Sequence, residues 1–156
     1  MPIKPAVLII FILALLPRIM VSLFSVETPG YDANGYDARA MSILKYGVFG
    51  DEGKPSSGKP PVYSFFLALI YRAFGHSYLA VRIMQSFLGA LSCVIIYFIA
   101  LKLINRNAAL ISGLLAAINI SFIKTSGYLL SEAFSTFLIS LLILSLVSLG
   151  HSPRLY

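Results

Sequence analysis

The chain has 156 residues, is 58% hydrophobic and only 12% charged, and carries a net charge of +6; its mean hydropathy is +0.88. Soluble domains are about 45–50% apolar and about 25% charged, so the composition excludes a soluble globular domain and indicates an integral membrane protein. A single cysteine, Cys93, lies within an apolar stretch, which excludes a disulfide framework and a thiolate metal cluster. The basic surplus fits membrane-side bases and anionic lipid phosphate and implies no nucleic-acid partner.

A membrane span needs about 20 apolar residues to cross about 30 Å of hydrocarbon. Residues 6–26 meet that length despite Pro17 and Arg18, the latter placed either to snorkel or to meet an anionic head group. Lys4 and the apolar run after it resemble the start of a signal peptide. No small-x-small cleavage site follows through Phe24-Ser25-Val26, so a retained signal-anchor helix is expected.

Residues 27–77 form a polar loop that interrupts the lipid-like sequence. From Asp32 onward, Tyr36, Ala40, Ile43, Leu44 and Gly47 recur at helical spacing, with Asp37, Arg39, Ser42 and Lys45 between them. This pattern predicts an amphipathic helix over 33–46 lying on the bilayer surface. Asp32 stands at its N-terminus after the breaker pair Pro29-Gly30. There it is either an N-cap or a carboxylate held ready for chemistry, and the two roles are compatible. Asp37 is a second acid in the same helix.

The stretch from Asp51 to Gly58 is rich in turn-formers and predicts a solvated connector. Lys59-Pro60-Pro61 then leads into an apolar segment ending at Phe74. Proline suits the first turn of a helix, and at 14 residues this helix is too short to span, so it is expected to lie on the surface or re-enter. Lys59 is either a snorkelling interfacial lysine or a phosphate-binding one.

Residues 79–104, 108–123 and 129–149 supply three further spans. Helices are required, because isolated strands leave backbone groups unsatisfied in lipid. The expected fold is therefore all-α: about four transmembrane helices plus one or two surface-lying helices in the first external loop. Arg82 and Glu132 lie at the starts of the second and fourth spans, where a charge needs a partner; Arg82 or Lys124 is the expected partner of Glu132. His76 and His151 read as isolated surface histidines.

Four spans place Lys4, Lys102, Arg106 and Arg154 on one side with no acid. All six acids (Glu27, Asp32, Asp37, Asp51, Glu52, Glu132) fall on the other. Short loops rich in Lys and Arg face the cytoplasm, so the N-terminus is expected inside and the 27–77 loop outside. That loop also holds Arg39, Lys45, Lys54, Lys59 and Arg72, so the short loops carry the argument.

The order Asp32-x-x-x-Tyr36-x-x-x-Ala40, Gly47, Lys59-Pro60-Pro61, Phe74-Gly75, Val81-Arg82-Ile83 and Glu132 resembles the N-terminal pattern of GT-C membrane glycosyltransferases. The resemblance runs from the first span to the fourth. It is to the protein mannosyltransferase-like branch, which includes the lipid A aminoarabinose transferases. It implies a polyprenyl-phosphate sugar donor, membrane lipids as surroundings and an acceptor not specified by the pattern. Asp32 takes the position of the catalytic aspartate and Lys59 that of the donor-phosphate lysine. Arg82 matches a second charged position assigned to the phosphate, while Tyr36 and Glu132 take supporting positions. The aminoarabinose transferases carry an acid before the lysine as part of a zinc site. Gly58 stands there in this chain, so no cofactor is expected and a divalent metal is disfavoured. Members of the family have many more spans, so a fragment, a truncated open reading frame or one piece of a split enzyme is expected.

The chemistry implied is compact. A carboxylate within hydrogen-bond reach takes the acceptor's proton. Glycosidases add a carboxylic acid to protonate the leaving oxygen, but a lipid phosphate leaves as a stable anion and needs only cations. Attack opposite the phosphate inverts the anomeric carbon. The rival class is a non-catalytic membrane subunit or a small transporter. Transporters line a midplane path with ionisable groups, whereas here the charges gather at one surface.

Overall fold

The computed structural model describes residues 3–25 and 31–150. Along the chain run α1 (Ile3–Phe24), α2 (Tyr31–Tyr46), β1 (Gly50–Asp51), β2 (Lys54–Pro55), α3 (Pro61–Phe74), α4 (Tyr78–Leu103), α5 (Arg106–Ile118), α6 (Ile120–Lys124), a 3₁₀ turn (Thr125–Gly127) and α7 (Glu132–Gly150). The fold is all-α apart from the two-residue strands, as expected. Among the described residues, α1, α4 and α7 are long and apolar enough to cross a membrane, and α5 with α6 makes a fourth span if the bent pair is counted as one. Val26, Glu27, Pro29-Gly30, His151 and Arg154, which entered the sequence argument, lie outside the described residues.

Helix α4 is central, with α1, α5 and α7 packed around it. In lipid, helices associate through close packing rather than through hydrophobic exclusion from water, and small residues permit the approach. Ala6 and Ala14 of α1, Ala90 of α4 and Ala109, Ala116 and Ala117 of α5 are all buried in this contact. A Cβ at Gly113 would come within 2.8 Å of Ile10 Cδ1, so α1 and α5 touch there with no room to spare. Further along, Ser22, Ser86 and Ser126 meet: Ser22 Oγ lies 2.8 Å from Ser86 Oγ and 3.2 Å from the Ser126 carbonyl.

The third expected span, 108–123, is not one helix. It breaks between α5 and α6, which are bent by 48°. The cause is Asn119: its backbone is extended and its side chain accepts a bond from Phe122 N–H at 3.2 Å, capping α6. A helix end leaves its last carbonyls without intrahelical partners, and here a neighbouring span satisfies them. Arg18, with no exposed surface, donates through Nη1 to the Ala117 carbonyl at 3.1 Å and through Nη2 to the Ala116 carbonyl at 3.3 Å. Arg18 therefore closes the broken span.

The polar loop carries α2 and α3, and the two helices form a second core of Ala33, Tyr36 and Ala40 against Tyr63, Leu67 and Tyr71, resting on Val81 and Leu129. The two sequence-predicted surface helices are thus present, with α2 starting at Tyr31. The stretch from Asp51 onward is not a plain connector. It folds into a hairpin pairing Gly50 with Pro55 and Asp51 with Lys54. Glu52 (φ 49°) and Gly53 (φ 82°) make its turn, and positive φ at both central positions suits the twist of a two-residue hairpin.

Candidate active site

Helix α2 brings the first candidate to its place. Asp32 is the second residue of α2, inside the first turn, where a negative charge is favoured by the helix dipole. Its carboxylate accepts a hydrogen bond from Lys59 Nζ, 27 residues away. The side chains are 64% and 25% exposed respectively, so the pair sits at the surface and within reach of a ligand. Asp32 lies in the first turn of α2, and its carboxylate is engaged by Lys59. This contact raises the Lys59 pKa above the ordinary lysine value, the Asp32 hydrogen bond being the main cause.

Tyr36, one turn after Asp32, supports the lysine. Lys59 Nζ lies 5.3 Å from its ring centroid, within the range of a cation–π contact. Tyr36 is buried and meets Tyr63 edge-on at 4.9 Å. Its carbonyl accepts from Ser64 Oγ at 3.3 Å. Tyr63 in turn donates to Gln85 Oε1 at 3.3 Å, and Gln85 Nε2 donates to the Leu130 carbonyl at 2.8 Å. Burial pushes the Tyr63 pKa up, with the Glu132 charge adding to it, so this hydroxyl stays a donor. The pair thus rests on a rigid frame that runs through α2, α3, α4 and the segment before α7.

Arg82 is placed differently from the expectation. It is buried, and Nη1 donates to the carbonyls of Ser22 and Ser25 at the end of α1. A cation at a helix C-terminus is favoured by the dipole and by the free carbonyls. Among the described residues, no hydrogen bond or ion pair joins Arg82 to Asp32, Lys59 or Glu132. Among the described residues no ion pair joins Glu132 to Arg82 or to Lys124, and Arg82 is committed to α1. Glu132 is exposed in the first turn of α7 and lines a cavity of about 230 Å³ that Arg18 also borders.

Two clusters escaped the sequence reading. His76 is not isolated: Nε2 lies 2.8 Å from Asp37 Oδ1, which also accepts from Tyr71 at 2.7 Å, while Tyr78 donates to Oδ2 at 3.2 Å. Asp37 thereby adds a second polar tie between α2, α3 and α4. Burial and the Asp37 carboxylate push the Tyr71 pKa up, which keeps its hydroxyl a donor. Arg39 forms the second cluster. Its Nη1 donates to the Gly35 carbonyl at 2.8 Å, and Nη2 reaches Asp51 at 3.2 Å and Ser56 Oγ at 3.3 Å. The alternation of charges in α2 marked Arg39 as polar surface, and only the hairpin's return over α2 reveals its partners.

These features define a polytopic membrane protein with an ion-paired aspartate and lysine presented by surface helices at one end of its bundle. Residues 58–155 match the family described as dolichyl-phosphate-mannose-protein mannosyltransferase, and the chain belongs to that family. A curated relative from Aquifex aeolicus (strain VF5), an uncharacterized protein, is 29% identical over 141 residues. The match covers 84% of this chain and 28% of that relative, so the chain spans about 28% of the relative's length. No solved structure matches the chain.

Proposed function

We propose that the chain acts in sugar transfer from a polyprenyl-phosphate donor to a hydroxyl acceptor on the extracytoplasmic face. The observation that carries this reading is the Asp32–Lys59 contact on the Tyr36 shelf, in a chain of the protein mannosyltransferase family. Lys59 takes the donor phosphate as a point charge. That releases Asp32, which accepts the acceptor's proton as the hydroxyl attacks the anomeric carbon. Attack comes from the side opposite the phosphate, so the anomeric carbon inverts. Arg82 is a positioning residue in this scheme, holding the end of α1 from which the chain runs to Asp32. Glu132 takes a supporting place, its charge adding to the effect of burial on the Tyr63 hydroxyl beneath the pair. The acid-free side of the bundle faces the cytoplasm.

The test is Asp32→Asn, assayed by transfer from a polyprenyl-phosphate sugar in membranes that contain the protein. Asn keeps the size of the side chain and removes the proton acceptor. Turnover falls by about 10²–10⁴-fold, the range for losing a general base, while donor affinity holds or rises because Lys59 is freed. Near-normal transfer by Asp32→Asn would remove Asp32 from the reaction.

A further inference from the structure

We infer that Arg39 is a second phosphate-binding cation beside Lys59, and that it acts on the charge the lipid phosphate gains as the sugar departs. The inference rests on the reading of Lys59 above. A cavity of about 540 Å³ opens beside α2 and is lined by Asn34, Gly35, Arg39, Gly58 and Lys59. It carries two cations and an amide, and no acid lines it. The matching carboxylates stand around it and are exposed: Asp32, side chain 64% exposed, holds Lys59, and Asp51, 55% exposed, holds Arg39. The Arg39 side chain is itself only 9% exposed, and its Nε is buried without a partner.

Two glycines keep the cavity open at the cations. A Cβ at Gly35 would stand 3.2 Å from Lys59 Cε and 3.4 Å from Arg39 Nη1, and one at Gly58 would stand 3.1 Å from Arg39 Nη2. An anion entering there exchanges exposed carboxylates for itself on both cations. A guanidinium and a phosphate match in shape and form charge-assisted bonds.

The charge balance of the reaction says why a second cation is useful. The acceptor oxygen forms a bond to the anomeric carbon and its proton passes to Asp32. The bond from that carbon to the phosphate oxygen breaks, and its electron pair stays on the phosphate. A phosphodiester with one negative charge thereby becomes a monoester carrying about −1.5 to −2 at neutral pH. Lys59 matches the first charge, and Arg39 matches the charge that develops, which is where preorganised cations accelerate a reaction.

The test measures binding to the 156-residue chain in lipid nanodiscs with two probes, a polyprenyl phosphate and a polyprenyl methyl phosphodiester. Arg39→Gln weakens the monoester by about ten- to a hundredfold, the value of a hydrogen bond to a charged group, and the diester far less. Arg39→Lys lies between, because the charge remains and the planar fork is lost. Asp51→Asn tightens the monoester by about two- to fivefold, since it removes only an exposed competitor. Equal losses on both probes with Arg39→Gln, or weaker binding with Asp51→Asn, would show that Arg39 and Asp51 only tie the hairpin to α2. Lys59→Ala separates the two readings. If it weakens both probes while Arg39→Gln weakens neither, the role of Arg39 alone is overturned; if it changes neither probe, the reading of Lys59 falls and this inference with it.

Discussion

Replacing Arg18 with methionine tests the account of the broken span. Methionine keeps much of the aliphatic stem, so the packing against α4 is largely retained. The guanidinium is lost, and with it the bonds to the Ala116 and Ala117 carbonyls. Those two groups sit at the end of α5, where the bend at Asn119 removes their helical partners. Each buried acceptor left unsatisfied costs about 1–3 kcal/mol. The two together predict a loss of about 2–6 kcal/mol, a large part of what holds a small domain together. Arg18→Lys recovers part of it, because an ammonium keeps the charge at the helix end but not the fork that meets two carbonyls. The assay is unfolding in mixed micelles by denaturing detergent, followed by amide exchange across 113–125. If Arg18→Met unfolded within about 0.5 kcal/mol of the parent, the usual scatter of a neutral substitution, the cap would have no energetic meaning.

Gly50→Ala is expected to open the hairpin, since its Cβ would fall 1.7 Å from the Lys54 carbonyl oxygen; proteolysis between β1 and β2 should rise while detergent unfolding of the spans stays the same. For topology, a cysteine at Ser57 should react with an impermeant thiol reagent added outside intact cells and one at Asn107 should not, and the reverse pattern would invert the proposed orientation. The Lys59–Asp32 contact has a definite pH sign. The raised Lys59 pKa means the tie is fully present below lysine's ordinary range and is lost only as pH rises through the raised value. Nitrogen chemical shifts of Lys59 should therefore hold their protonated value until the pH passes lysine's ordinary pKa of about 10.4, and a titration midpoint at or below that value would contradict the contact.

How much of this was legible depended on the distance over which each signal acts. The two surface helices were readable because apolar period and Pro60-Pro61 are local, and the ends of α3 fall at the positions the prolines and Gly75 imply. The pairing of an early aspartate with Lys59 was visible only as two charges in one loop, and the fold joins them across 27 residues. The break at Asn119 was missed because hydropathy averages over a window, whereas one amide side chain competing for Phe122 N–H acts at a point. The hairpin was missed for a similar reason, its strands being two residues long. Arg18, Arg82 and His76 were each assigned by position alone. Their partners come from helices far along the chain: the carbonyls of α5 for Arg18, the end of α1 for Arg82, and Asp37 of α2 for His76. Sequence spacing gives no access to such partners.

The arginine that closes the broken span also sets a schedule for making the protein. Arg18 and the Ala117 carbonyl are 99 residues apart, and ribosomes add about 5–20 residues per second. The first span is therefore made about 5–20 s before the carbonyls that its arginine meets in the fold exist. An arginine within a span is costly in lipid until it is paired, so in α1 that cost is met only once α5 has been made.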